Sequence, residues 1–299
     1  MAVGRSVKQK GRSPVVGQEG IPQGVREYRF QGVANMERVI ESHMDLLSNQ
    51  NNRGKEKSLS ASQDECPSQF IVFAGVPSDV LEHNAIEKKF SSYHKQLKIL
   101  VLKMVLRQHE RASRVFERLL QDAIRPMGLE EEIGLDGTAR VHGLQRDKEP
   151  DCSYRPRILP AGRATKWPSM VVEVANSDSQ NQVDADAHWW LENSNGDVKI
   201  AVTISIQRTG TRRITIRRWE TIGRPTRANP YRTVIKLMQE VNIVRQPNGS
   251  ITTTGTAPLR LPFEKVMLRR PSMPLEGDFL ILDEALKELG QEVWEVQEQ

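Results

Sequence analysis

The chain has 299 residues, 37% of them hydrophobic, with 43 Lys and Arg against 38 Asp and Glu for a net charge of +5. That length supports one large domain or two small ones, but the apolar content is below the roughly 45–50% of an average globular chain, so part of it is expected to lie outside any core. No run approaches the roughly 20 apolar residues of a membrane helix. No apolar stretch follows the basic N-terminus as in a secretory signal, and Cys66 and Cys152 alone make neither a disulfide framework nor a zinc site.

Residues 1–66 read as a disordered tail, rich in Gly, Pro, Gln and charge. Within it, Val33, Met36, Val39, Ile40 and Met44 have helical spacing and predict a short helix over 35–47, transient in a disordered arm. A buried strand is expected at 69–74, a polar helix at 84–93 and a second strand within 97–106. From about Glu110 the period becomes helical, with Val115, Leu119 and Ile124 on one face and Pro126 as the stop. A short strand fits 138–142.

The segment 168–175, Pro-Ser-Met-Val-Val-Glu-Val-Ala, is a strand with one carboxylate inside it. A helix over 183–193 follows, capped by Asn195-Gly196, and then a strand over 198–206. Together they predict a β-α-β unit with parallel strands. Thr209-Gly210 turns the chain into a returning strand at 213–219. The expected class is α/β, or mixed α+β: a central mixed sheet flanked by helices. Three segments are expected, a tail at 1–66, a core at 67–227 and a C-terminal extension at 228–299. The last helix carries Leu282, Leu286, Leu289 and Val293 as its stripe.

Glu173 is the strongest local anomaly. A carboxylate between Val172 and Val174 in a buried strand needs a metal, a cation or hydrogen bonds. Asp151 follows Pro150 and enters what reads as a neighbouring strand. Two acids on adjacent strands can hold a divalent cation, since Mg²⁺ binds through one or two carboxylates plus waters and phosphate oxygens. Such an ion can activate water and stabilise charge on phosphorus.

The order of helix, strand, Pro150-Asp151, Val-Val-Glu173-Val, the helix Asp-Ala-His-Trp-Trp190 and then Gly196-Asp-Val-Lys199 resembles the restriction-endonuclease-like PD-(D/E)XK superfamily. It is most similar to a group of uncharacterised fungal proteins and to small bacterial domains of that fold. The segment from Pro150 to Ile206 carries the resemblance, which extends over 69–125 and 258–278 and leaves out the first 66 residues. The resemblance implies a phosphodiesterase core that uses Mg²⁺ or Mn²⁺, with Asp151 and Glu173 as catalytic metal ligands and Glu110 as a third. The superfamily's Lys belongs two residues after the Glu, where this chain has Ala175. Lys199 is the candidate replacement, with a solvated strand-end lysine as the other reading.

Arg212, Arg213, Arg217 and Arg218 crowd the hairpin. They fit either phosphate contacts to nucleic acid or charges that keep a sheet edge from pairing. Trp190 is expected in the core, and Cys152 lacks a base that would make it a nucleophile. The expected function is a divalent-metal-dependent nuclease acting on DNA, inside the cell in cytoplasm or nucleus. The alternative is a catalytically inactive nuclease-like domain that binds nucleic acid or protein.

Overall fold

A computed structural model describes residues 21–22, 25–53, 68–176, 180–207 and 210–298, with only the helical backbone at 49–53. It divides into two main sheets. The first draws on β1 (Glu27–Arg29), which precedes helix α1 (Val33–Arg53), and on β2 (Phe70–Ala74). After the single turn α2 (Asn84–Glu87) come β3 (Phe90–His94) and β4 (Ile99–Lys103). Helix α3 (Arg107–Ile124) and β5 (Ile133–Leu135) follow, then the hairpin of β6 (Val141–His142) and β7 (Arg146–Lys148). Six of these strands form one sheet in the order β1-β2-β4-β3-β7-β6.

The second sheet is built from β8 (Cys152–Pro156), β9 (Met170–Asn176), helix α4 (Gln180–Asn193), β10 (Ile200–Ile206) and β11 (Arg213–Gly223). It continues into β12 (Thr233–Arg245) and β13 (Ile251–Gly255), in the order β13-β12-β11-β10-β9-β8-β5. The chain ends with β14 (Leu259–Leu261), α5 (Phe263–Met267), β15 (Phe279–Ile281) and α6 (Asp283–Glu298). The mixed α/β class is as expected. So is the crossover: β9 and β10 are parallel neighbours with Glu173 opposite Thr203, and α4 joins them.

Strand β9 forms because Met170, Val171, Val172, Val174 and Ala175 are all fully buried, a β-branched run covered on both faces. Val172 and Val174 face the larger core with Ile204, Phe116 and Trp294, whereas Val171 joins Trp190, Leu191 and Ala201 under α4. Helix α3 lays Val115, Phe116, Leu119 and Leu120 on the first of these faces, and α6 packs beside it with Leu286, Leu289 and Val293. A Cβ on Gly290 would meet Ile243 at 2.9 Å, so glycine allows α6 to approach the sheet closely. Leu282, expected in the helix stripe, precedes α6 and is 58% exposed.

Two expectations are corrected. Within the supposed tail, β1 pairs in parallel with β2, and α1 buries Met36, Ile40 and Leu47 against Ile71, Phe73 and Leu102. Met36, Ile40 and Leu47 fall on one face, so a polar composition still yields a packed helix, with Leu46 left on the outside. The rest of the expected tail, 1–20, 23–24 and 54–66, lies outside the described residues, as do Arg208 and Thr209 of the expected turn. The helix expected over 84–93 is the four-residue α2 followed by strand β3, because Phe90 and Tyr93 pair with Leu102 and Leu100 of β4. The region after 228, expected as an extension packing on the core, joins the second sheet: β12 pairs with β11 along nearly its whole length and carries the sheet onward.

Candidate functional site

Backbone geometry brings Asp151 and Glu173 together. Cys152 stands opposite Val172 in the antiparallel β8–β9 pair, so Asp151 falls beside Glu173 at the same sheet face. The Asp151 N–H donates to the Val172 carbonyl, and the Val174 N–H donates to Asp151 Oδ2 at 2.6 Å.

A lysine from the other sheet lies between the two carboxylates. Lys103 Nζ, at the end of β4, is 2.6 Å from Asp151 Oδ2 and 3.6 Å from Glu173 Oε2. His109 Nε2, in the first turns of α3, is 3.2 Å from the same Asp151 oxygen. On the far side of Glu173, Lys148 Nζ lies 3.3 Å from Oε1 and 3.0 Å from Asp186 Oδ1, while the Trp190 Nε1–H donates to Glu173 Oε1 at 2.7 Å. Arg146 completes the group, 3.8 Å from Asp186 Oδ1 and donating to Ser92 Oγ. Three carboxylates thus face three cations. Lys148 is fully buried, and Glu173, Asp186, Lys103 and Arg146 are nearly so.

The electrostatics follow from that packing. Burial opposes ionisation of Asp151, but Lys103 and His109 outweigh it and hold the carboxyl well below its usual range. Burial dominates at Glu173 and raises its carboxyl despite Lys148 and Lys103. Burial also disfavours the Lys103 ammonium, yet Asp151 and Glu173 raise it overall. The Cys152 thiol is pushed up to about 12 by burial and the Asp151 charge, which removes it as a nucleophile.

The other expected site residues lie elsewhere. Lys199 precedes β10 by one residue, four strand positions from the level of Glu173, about 13 Å at roughly 3.3 Å per residue. It is exposed and donates to the Gly196 carbonyl, the solvated strand-end reading. Glu110 is also exposed and pairs with Arg114 one turn along α3, because the helix turns His109 rather than Glu110 towards Asp151. Arg217 is held between Asp184 and Glu240 at 2.6 and 2.7 Å, Arg218 is buried on the Arg260 carbonyl and Glu220, and Arg212 bonds Gln297. Of the four hairpin arginines expected to meet phosphate, Arg213 alone is exposed with no ion pair among the described residues.

The divalent ion implied by the superfamily resemblance does not fit this donor set. The oxygens that would ligate it already accept from Lys103, an indole, an imidazole and a backbone amide, and Lys148 ion-pairs with Glu173 beside them. The charge is balanced, and among the described residues no group of three His, Cys, Asp or Glu is placed to hold a metal.

Sequence reasoning missed Lys103, Lys148, His109 and Asp186. Lys103 carried a usable signal, a charge ending an apolar strand, the same anomaly as Glu173. Lys148 gave none, since it lies in the polar stretch Arg146-Asp147-Lys148 and is buried only by its neighbours in space.

Beside the cluster, Asp151, Ser153 and Arg155 point to one face along β8. Ser153 and Arg155 line a cleft of about 530 Å³ together with Arg140, His142 and Lys166. Arg140 stacks on Phe90 at 3.9 Å and pairs with Glu149 and Glu82, and Arg155 pairs with Asp136. No helix among the described residues is long and apolar enough to cross a membrane.

No protein-family model matches the sequence, and a search of curated proteins finds no match. Among solved structures, the chain is similar to a candidate nuclease of DUF820 from Anabaena variabilis, at 15% identity and a TM-score of 0.31. The match covers 48% of this chain and 75% of that one.

Proposed function

We propose that this chain is a nuclease-like core that binds nucleic acid without cutting it. One observation carries the reading: Lys103 Nζ lies within 3.6 Å of both carboxylates that would otherwise hold a catalytic ion. A water attacking phosphorus needs a metal or a free base to lower its pKa and a group to stabilise the charge that develops. Here Asp151 and Glu173 are neutralised from inside, Glu173 is sealed from solvent, and position 175 is Ala.

Binding is supported by the neighbouring cleft. Lys166 is exposed in it with no ion pair among the described residues, beside Arg140, Arg155 and His142, which are paired with Glu149, Asp136 and Asp147. A phosphate backbone lying there would be held by charge rather than by sequence-specific contacts.

The test has two readouts on the full chain. Fluorescence anisotropy with labelled duplex and single-stranded oligonucleotides should show binding that weakens steeply with salt and weakens further in Lys166→Glu. Plasmid nicking with Mg²⁺ or Mn²⁺ should stay at background. Nicking by the wild type that disappears in Asp151→Asn would overturn the non-cutting reading. Absence of oligonucleotide binding at low salt would overturn the binding reading.

A further inference from the structure

We infer that Lys103 takes the place of a metal ion, so that Asp151 and Glu173 form an internal latch between the two sheets. The inference rests on the proposal that the site does not cut, and extends it to what the carboxylates do instead. Lys103 ends β4 of the six-stranded sheet, and the carboxylates it joins stand at β8 and β9 of the seven-stranded sheet. Lys148 repeats the arrangement from β7, reaching Glu173 on β9 and Asp186 on α4. Both lysines therefore come from one sheet and all three carboxylates from the other sheet and its crossover helix.

This distribution is what a cross-sheet clamp needs. Docking either face against an apolar one would bury unpaired charge, cations only on one side, carboxylates only on the other. The halves become compatible only when docked. A divalent ion could neutralise Asp151 and Glu173 too, but it would contribute nothing to joining the sheets, because the ends of β4 and β7 offer it ammonium groups instead of oxygens. The Val174 amide and the Trp190 indole satisfy further lone pairs of the same carboxylates without an ion, while Lys148 Nζ is held there by charge alone.

A metal-binding measurement on the full chain decides the matter. Mn²⁺ titration of the wild type, followed by calorimetry and by the free Mn²⁺ paramagnetic resonance signal, should show no stoichiometric site, and the melting midpoint should not shift with Mn²⁺ or EDTA. Lys103→Met keeps the side-chain length and removes the charge. It should melt several degrees lower, bind one equivalent of Mn²⁺, and recover part of the lost midpoint as Mn²⁺ is added. Lys103→Met/Asp151→Asn should not bind. One equivalent of Mn²⁺ on the wild type, abolished by Asp151→Asn, would overturn the inference, as would a folded Lys103→Met that takes up no Mn²⁺. Should Lys103→Met not fold, the wild-type titration decides alone. The oligonucleotide result is independent: a wild type that ignores both Mn²⁺ and nucleic acid keeps the latch and removes the binding function.

Discussion

The indole N–H of Trp190 donates to Oε1 of Glu173 across 2.7 Å. The donor sits on α4 and the acceptor in the middle of β9, and both are buried. Trp190 therefore does two things at once. Its rings pack edge-on against Trp167 and Trp189 under the sheet, and its only polar atom aims a carboxylate that the strand would otherwise leave exposed to apolar neighbours. Trp190→Phe keeps most of the packing and removes the donor. The expected loss is about 1.5–3 kcal/mol, the usual value of a hydrogen bond to a charged group, read as a lower urea midpoint with unchanged slope.

Lys148 presents a harder case, since its ammonium is fully buried between Glu173 and Asp186. Lys148→Met removes the nearer cation from both carboxylates, leaving Glu173 with Lys103 at 3.6 Å and Asp186 with Arg146 at 3.8 Å. Equilibrium unfolding should show a loss of about 3–5 kcal/mol, the scale for removing one partner of a buried pair. A variant carrying Lys148→Met with Asp186→Leu removes one charge of each sign, so its loss should fall short of the sum of the two single losses. Additive losses would show that the pair is not coupled.

The cluster also sets a pH window. The Asp151 carboxyl is held below its usual value near 3.8, so its contribution is complete above that pH and is lost as pH falls through it towards the lower folded value. Lys103 is raised above 10.5, so its contribution is complete below that pH and is lost as pH rises through the higher folded value. Glu173, raised from 4.5, works against stability as pH climbs past that range, which places the acid-side benefit on Asp151. Thermal midpoints measured from pH 2 upwards should fall on the acid side in the wild type, and Asp151→Asn should flatten that limb.

Helix α1 gives a prediction of another kind. Met36, Ile40 and Leu47 are buried against the six-stranded sheet, so the helix is part of that sheet's core. Met36→Ala should cost about 2–5 kcal/mol, as for other fully buried large-to-small changes, and should expose 33–53 to protease before the rest of the chain. A wild-type core that survives proteolysis with its new N-terminus near residue 67 would contradict the structure.

Lys199→Ala supplies the contrast. The side chain is exposed and reaches only the Gly196 carbonyl, so stability should stay within about 0.5 kcal/mol and oligonucleotide affinity should not change.

The crossover of β9, α4 and β10 was legible because its signals are local: a β-branched run, a helical stripe, a left-handed turn at Asn195 and Gly196, and a second apolar strand. Glu173 was legible for the same reason, as a charge within such a run, and its pairing with Asp151 followed from the order of the strands. What occupies the space between these carboxylates was not. Lys103 and Lys148 are distant in sequence and converge only because the six-stranded sheet docks across the ends of β8 and β9, and His109 arrives because α3 packs on the seven-stranded sheet. Lys199 illustrates the converse. It is close to the crossover in sequence and looked like the replacement for the residue at 175, yet the turn before β10 directs it to solvent. Sequence thus determined that two carboxylates would share a sheet face. Tertiary structure alone decided that lysines would meet them there, because burying those carboxylates requires charge compensation and long-range docking determines which cations supply it.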